Sequence, residues 1–352
     1  MKAVAVAAQV RLGYHHQGRK SLGPTSDTLA AAQDRVRGTI MRIATGLIVA
    51  GAVSLLASSA AWSQTAGAKS AAAPQAATAP IPAPAPPTAK AACANPNALG
   101  IGRTVEIDTT GGPGFGFEHF KQLDFLRDHE VVLTFDDGPW PVNTPSVLKT
   151  LAEECTTGIF FPIGKHATYH PEILKQVAAA GHTIGAHTWS HANLSNKKLN
   201  EDQRKEEIEK GFSAVKWALG TAPSPFFRFP ALQHPPEMVT YLGSRNIAIF
   251  SCDLDSFDFK ASKPQTVIDT VMRKVDKLGK GIILMHDFQK HTAEALPELL
   301  HRLKASGFKV VKMIAKSPVQ TLPQYDEEIL KDSKLPTVSS RPVSSVVQTI
   351  SE

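Results

Sequence analysis

Short apolar runs alternate with amphipathic segments through the middle of the chain, from residue 130 to residue 315. Continuous apolar runs are typical of buried parallel strands, whereas apolar residues spaced three and four apart predict helices that cover them. The runs predict strands at residues 131–135, 158–162, 182–186, 226–229, 247–252, 281–285 and 308–311. The spacing predicts helices at residues 145–154, 171–181, 200–219, 235–244, 263–278 and 293–306. Such a succession of about seven βα units indicates an α/β fold, a parallel barrel-like sheet surrounded by helices.

The segments that flank residues 130–315 lack this alternation. Residues 93–129 are glycine-rich and are expected to form an irregular N-terminal segment of the fold. Residues 64–92 are rich in Ala and Pro, a composition that predicts an extended, semi-rigid linker. Residues 316–352 are rich in Ser, Pro, Thr and Val without a core pattern, and we expect a disordered tail there.

Residues 41–63 have the pattern of a secretory signal peptide. Arg42 precedes an uncharged apolar stretch, and Ala61 and Ser63 place small residues at the −3 and −1 positions of a cleavage site. We therefore expect an exported protein, periplasmic or in the cell envelope, with residues 1–40 an upstream extension from a start codon assigned too early. An uncleaved anchor remains an alternative, because the stretch is nearly long enough to span a bilayer. Membrane contact is expected only through this segment.

The positive net charge belongs to the N-terminal region. The 352 residues carry a formal charge of +6. Residues 1–92 contain 9 Lys and Arg against 2 Asp and Glu, and the remaining residues contain 29 against 30. Because the predicted domain is close to neutral, we expect no nucleic-acid partner.

An exported protein can form disulfides, and this chain has three cysteines. Cys93 opens the folded region and Cys155 lies at the end of a predicted helix, so we expect these two to pair. Cys252 is then expected to be reduced and buried. Three cysteines allow three pairings, and the sequence by itself leaves the others open.

Ionisable residues follow the ends of several predicted strands. Asp136 and Asp137 come directly after the run at 131–135 and before a Gly-Pro turn. Strand ends of this kind carry the chemistry of α/β folds. His187 and His191 are four apart, which would place both imidazoles on one face of a helical turn. With Asp137 they would offer a metal ion three ligands and leave positions open.

Further strand ends add a cation and a potential acid. Arg228 lies within an aromatic run, where an unpaired charge would be costly, so it requires an anion such as Asp136. His286 ends an almost wholly apolar strand, and Asp258 follows another. Ionisable groups at the end of strand after strand are difficult to explain as packing.

These stretches resemble, in order, the five motifs of NodB-type polysaccharide deacetylases, carbohydrate esterase family 4. The similarity covers residues 130–311 and rests on residues 134–139, 187–191, 228–230, 255–259 and 284–286. The resemblance implies a distorted (β/α) barrel, the NodB homology domain. It also implies metal-dependent removal of N-acetyl groups from amino-sugar polymers, with zinc as the expected ion and cobalt as an alternative.

The resemblance also implies a role for each matching residue. Asp136 is expected to act as the general base and His286 as the general acid. Arg228 would orient Asp136, and Asp258 would tune His286. The remaining residues are expected to be metal ligands (Asp137, His187 and His191), an oxyanion-binding backbone amide (Ala231) and a wall for the acetyl methyl group (Leu284).

Two motifs depart from the family pattern. The third motif runs Arg228-Phe229-Pro230-Ala231-Leu232, whereas the family has Arg-Pro-Pro-Tyr-Gly or a similar run. The fourth ends in Phe259 where the family has Trp, and a second Trp position upstream is occupied by Cys252. The catalytic machinery is therefore expected to be intact, while the surfaces that contact sugar are expected to differ.

The leading hypothesis is a deacetylase of N-acetylglucosamine glycans, either chitooligosaccharide or peptidoglycan. One alternative is an O-acetyl esterase on xylan-like substrates, since the same centre can cleave esters. Another is a ferrous oxygenase, because two His and one carboxylate also bind iron, although such sites usually occupy an all-β fold. The last is a glycan-binding protein with weak or lost catalysis, which the presence of Asp136 and His286 argues against.

Overall fold

The computed structural model describes residues 93–333, with Ser333 described by its backbone alone. The predicted upstream extension, signal peptide and linker, and residues 334–352 of the predicted tail, lie outside these residues. Within residues 93–333, none of the helices combines the length and hydropathy that crossing a bilayer requires.

Strands and helices alternate along the described residues as the hydrophobic pattern predicts. The strands are β1 (Arg103–Ile107), β2 (Gly114–Phe115), β3 (Glu130–Asp136), β4 (Ile159–Phe161), β5 (Thr183–Ile184), β6 (Phe226–Phe227), β7 (Ala248–Phe250), β8 (Leu254–Asp255), β9 (Gly281–His286) and β10 (Lys309–Ala315). The helices are α1 (Asn143–Glu153), α2 (Gly164–Tyr169), α3 (Pro171–Ala179), α4 (Glu201–Leu219), α5 (Pro236–Ser244), α6 (Pro264–Leu278), α7 (Lys290–Ala305) and α8 (Pro323–Ser333).

The strand pairings trace a distorted barrel. Parallel pairs join β5 to β4, β4 to β3, β3 to β9 and β9 to β8. A second parallel set joins β6 to β7, and a single bridge between Ala186 and Phe227 connects the end of β5 to β6. The ring closes because β7 and β8 belong to one stretch, separated by Ser251, Cys252 and Asp253. The α/β barrel expected from the sequence is confirmed.

The central strand β3 is buried along its whole length. Its neighbour β9 pairs with it in a register that places Asp136 directly beside His286. Helices cover the outside through apolar stripes; α6, for example, buries Val267, Val271 and Val275, which recur every four residues on one face. The barrel thus places the carboxyl ends of β3 and β9, with Asp136 and His286, side by side.

The prediction that residues 93–129 are irregular is wrong for β1 and β2. β1 pairs with β10 in parallel along all five of its residues, and Arg103 forms an ion pair with Glu130 at the start of β3. The residues of β1 alternate between exposed and partly buried. A half-exposed strand whose partner lies about two hundred residues away has a weak local signal.

The prediction of a disordered tail is also wrong, for its described part. Val319 and Ile329 are buried, the latter within α8. Ion pairs connect α8 to α4: Lys216 lies 2.8 Å from Asp326, and Lys210 pairs with Glu328. This segment is ordered by its contacts with α4 rather than by a core pattern of its own.

The cysteine prediction is confirmed. Cys93 and Cys155 form a disulfide with their Cα atoms 5.8 Å apart, and Cys252 is free and buried. The bridge attaches the first described residue to the end of α1.

Candidate active site

A cavity of about 450 Å³ lies at the carboxyl ends of the central strands. Seven of the nine residues predicted for the site line it: Asp136, Asp137, His187, His191, Ala231, Leu284 and His286. The other two, Arg228 and Asp258, are buried behind Asp136 and His286 respectively. The structure therefore brings together every residue that the sequence selected.

Asp137, His187 and His191 form a group that could hold a metal ion. The Nε2 atoms of both histidines lie 3.4 Å from Asp137 Oδ1. His187 Nδ1 lies 2.7 Å from the carbonyl oxygen of Arg228, which can only accept, so Nδ1 carries the proton and Nε2 presents its lone pair. Asp137 Oδ1 is buried and has no hydrogen-bond partner among the described residues. This donor set fits a divalent cation such as zinc.

The two histidines meet through a loop, and the expected helical turn is wrong. Residues 187–191 have no helical assignment, and Thr188 and His191 adopt φ values of 62° and 61°. Glu207 holds the loop by accepting hydrogen bonds from the backbone amide and the hydroxyl of Ser190. α4 approaches so closely that a side chain at Gly211 would lie 2.7 Å from the backbone of Thr188. The loop's shape therefore depends on α4.

Arg228 holds Asp136 from behind. Its guanidinium is fully buried, donates to Asp136 Oδ1 at 2.8 Å and also donates to Thr134 Oγ1 and to the carbonyl oxygen of Ser251. A buried cation that donates on several sides is fixed in direction, and so is the carboxylate that accepts from it. Asp136 is thereby held in one orientation at the wall of the cavity.

His286 is held as a cation by Asp258. Its Nδ1 lies 2.6 Å from Asp258 Oδ1, and Oδ2 of the same carboxylate accepts the His286 backbone amide and the Thr292 hydroxyl. Burial by itself would lower the pKa of His286, but the hydrogen bond and charge of Asp258, with smaller contributions from Asp137 and Asp136, raise it to about 9. The imidazole is therefore protonated at neutral pH, with Nε2 4.0 Å from Asp137 Oδ2.

The remaining wall contains the positions that depart from the family pattern. Ala231 and Leu232 have positive φ values in a short 3₁₀ turn and line the cavity. Phe259 is half exposed and meets the His286 ring edge to face, with centroids 5.7 Å apart. Phe229 is buried in the core and also lines the cavity.

The sequence did not indicate several residues at the site. Glu118 and His119 enter the cavity from the N-terminal segment, which is held by hydrogen bonds to Ser251 and Cys252 at the end of β7. His166 contacts the carbonyl oxygen of Asp137 through Nδ1 at 2.6 Å. All three lie outside the five motif stretches, and no local pattern distinguishes them.

A larger cavity of about 530 Å³ adjoins the first and shares Glu118 and Asp255 with it. Its lining is mainly apolar, and it contains none of the candidate metal ligands. The chemistry therefore belongs to the smaller cavity.

Comparison with known proteins agrees with this geometry. The family described as polysaccharide deacetylase matches residues 126–248. The chain is 31% identical to a peptidoglycan-N-acetylglucosamine deacetylase of Bacillus cereus, over 52% of this chain and 66% of that protein. It is 31% identical to a chitooligosaccharide deacetylase of Sinorhizobium fredii, over 53% of this chain and 95% of that protein. The solved structure of a peptidoglycan deacetylase of Bdellovibrio bacteriovorus superposes with a TM-score of 0.55 and 32% identity, covering 61% of this chain and 59% of the other.

Proposed function

Because the chain belongs to the polysaccharide deacetylase family, we propose that it is a metal-dependent hydrolase that removes N-acetyl groups from N-acetylglucosamine units of a glycan and releases acetate. The observation that carries the proposal is that Asp136 and His286, side by side in the β3–β9 register, line one cavity with Asp137, His187 and His191. An oriented base and a protonated acid beside a set of metal ligands are what hydrolysis of an amide requires.

The metal ligands would be Asp137, His187 and His191. A divalent ion bound there would supply Lewis acidity to the acetamide carbonyl and to a water molecule. We propose zinc, since one carboxylate and two imidazoles with open positions suit it, and cobalt is the alternative.

The chain's own residues would move the protons. Asp136, oriented by Arg228, would accept the proton of the attacking water. His286 would donate from Nε2 to the departing amine nitrogen, because an amine leaves poorly unless it is protonated. The backbone amide of Ala231 would donate to the carbonyl oxygen as that oxygen gains charge, and Leu284 would contact the acetyl methyl group.

Chitooligosaccharide and peptidoglycan are the proposed substrates, because relatives named for each are similar to this chain. The parallel α/β barrel argues against a ferrous oxygenase, and the protonated acid favours an amide over an ester as the preferred substrate. The activity is proposed to operate outside the cytoplasm, in the periplasm or cell envelope.

Acetate release tests the proposal. The protein is stripped of metal, reloaded with zinc or with cobalt, and incubated with chitooligosaccharide, peptidoglycan or acetylated xylan. We expect acetate from an N-acetylated glycan only after reloading. We also expect loss of this activity in Asp136→Asn but not in Asp276→Asn, the same change at an exposed position of α6. Release from acetylated xylan alone would replace the proposal with an esterase.

A further inference from the structure

Asp287 is a buried carboxylate that the proposed chemistry does not use. It follows His286, the last residue of β9, and both of its oxygens accept hydrogen bonds from the turn and helix that follow Asp136 and Asp137. Oδ1 accepts a hydrogen bond from the backbone amide of Gly138 at 3.0 Å, and Oδ2 accepts one from the hydroxyl of Thr144 at 2.5 Å.

Thr144 links Asp287 to Trp140, at the other end of the turn, through two hydrogen bonds. Its Oγ1 accepts a hydrogen bond from the backbone amide of Trp140 at 2.8 Å, so its own proton is available to Asp287. One carboxylate therefore holds Gly138 directly and Trp140 through Thr144. The contact is close: a side chain at Gly138 would lie 2.1 Å from Asp287 Oδ2.

This network joins the two halves of the site. Asp136 and Asp137 immediately precede the turn, whereas His286 immediately precedes Asp287. The β3–β9 ladder sets the Asp136–His286 register but ends at that pair. Beyond it, Asp287 connects the turn that follows the candidate base and metal ligand to the strand that bears the candidate acid.

We propose that Asp287 is a positioning residue, which together with Thr144 fixes Asp136 and Asp137 relative to His286; the inference rests on the proposed function of this site. It acts through the backbone of the turn and touches none of the reacting atoms. Residues that orient metal ligands from behind typically change metal affinity or activity when they are replaced.

Matched substitutions test the proposal in the full-length chain. Thr144→Val removes the hydroxyl at nearly constant volume, and Asp287→Asn keeps the shape while leaving one acceptor oxygen. Thr144→Ser restores the hydroxyl. Thr150→Val is the control, because it makes the same chemical change at a buried position of the same helix, away from the turn.

Three quantities are measured for each variant: the zinc dissociation constant by competition with a chromophoric chelator, kcat and KM for acetate release, and the melting temperature. We expect Thr144→Val and Asp287→Asn each to lower kcat or zinc affinity by about 10–100-fold. The loss should fall on kcat rather than KM, Thr144→Ser should recover most of it, and Thr150→Val should leave kcat and zinc affinity unchanged.

Two outcomes would overturn the proposal. One is unchanged kcat and zinc affinity in both Thr144→Val and Asp287→Asn. The other is a loss in Thr150→Val as large as in Thr144→Val, which would make the effect one of general stability. If the unsubstituted chain releases no acetate, the proposed function fails. The zinc dissociation constants of the variants then still test whether Asp287 positions Asp137 for metal binding.

Discussion

At the residue scale, the partner of each buried carboxylate determines what that carboxylate can do. Asp136 has the guanidinium of Arg228, and Asp258 has the imidazole of His286. Asp137 has an oxygen with no hydrogen-bond partner among the described residues, and burial raises the pKa of its carboxyl group. Chemically identical groups are thereby suited to the different roles that we propose: a base, a partner of the acid and a metal ligand.

Substitution of the two neighbouring carboxylates separates coordination from proton transfer. We expect Asp137→Ala and His187→Ala to lose bound metal, whereas Asp136→Asn should retain metal and lose turnover, because a base contributes to rate and not to coordination. Atomic emission measures the metal content of each variant, and acetate release by the same preparation measures its turnover. Loss of metal in Asp136→Asn with retention in Asp137→Ala would show that the two roles are reversed.

The role of His286 as acid is tested by the leaving group. An amine needs a proton in order to leave, but an activated aryl ester does not. His286→Ala should therefore reduce deacetylation of chitooligosaccharide by about 10²–10⁴-fold while retaining most activity on an activated acetate ester. Equal losses on both substrates would assign His286 to structure or metal binding instead.

The pH dependence of the reaction reports on Asp258. A general acid must be protonated, so kcat/KM should fall as pH rises through the pKa of His286, which Asp258 raises. Asp258→Asn removes the negative charge, lowers that pKa by about 1–3 units, and so moves the alkaline limb to lower pH. Rate profiles for the two zinc-loaded proteins on one substrate measure the shift, and superimposable alkaline limbs would contradict it.

At the scale of elements, the site depends on segments that have little pattern of their own. The loop that carries His187 and His191 takes its shape from α4, and the N-terminal segment that brings in Glu118 is held against the end of β7. α8 is ordered in the same way, through its contacts with α4. The barrel strands bear the proposed base and acid, and the loop of His187 and His191 and the N-terminal segment complete the cavity.

The attachment of α8 can be measured with adjacent residues. Ile329 is buried in α8 and Leu330 is about half exposed. Ile329→Ala should lower the free energy of unfolding by about 2–5 kcal/mol, because it removes buried apolar volume. Leu330→Ala should change it by no more than about 0.5 kcal/mol. Urea denaturation of both variants gives the two free energies of unfolding. A change in Ile329→Ala as small as that expected for Leu330→Ala would mean that α8 contributes little to stability in solution.

At the scale of the whole molecule, two features support the proposal of export. The disulfide between Cys93 and Cys155 suits an oxidising compartment, in which such bonds persist. The positive charge is concentrated in residues 1–92, as expected for a leader followed by a nearly neutral domain.

Processing of the leader is a direct test of this proposal. We expect the protein isolated from its native host to begin near Gln64, since Ala61 and Ser63 form the cleavage pattern. N-terminal sequencing or intact-mass measurement of the native protein determines the start. A mature form that retains residues 1–40 would contradict both the cleavage and the reassigned start codon.

The sequence by itself determined the class of fold and the residues that meet at the candidate site. Buried parallel strands are continuous apolar runs, so their positions are readable locally, as are the ionisable residues that end them. Asp136 and His286 were identifiable because a charge at the end of an apolar strand has no packing explanation. The Cys93–Cys155 pairing was also anticipated, although three cysteines allowed other choices.

Only the tertiary structure decided which distant segments pack against one another. β1 is stabilised by β10, α8 by α4, and the turn at Gly138 by Asp287, and in each case the partner lies more than a hundred residues away. The spacing of His187 and His191 favoured a helical turn, yet packing against α4 imposed a loop with positive φ values. Local patterns report on burial and backbone preference, whereas contacts between segments depend on how the whole barrel closes.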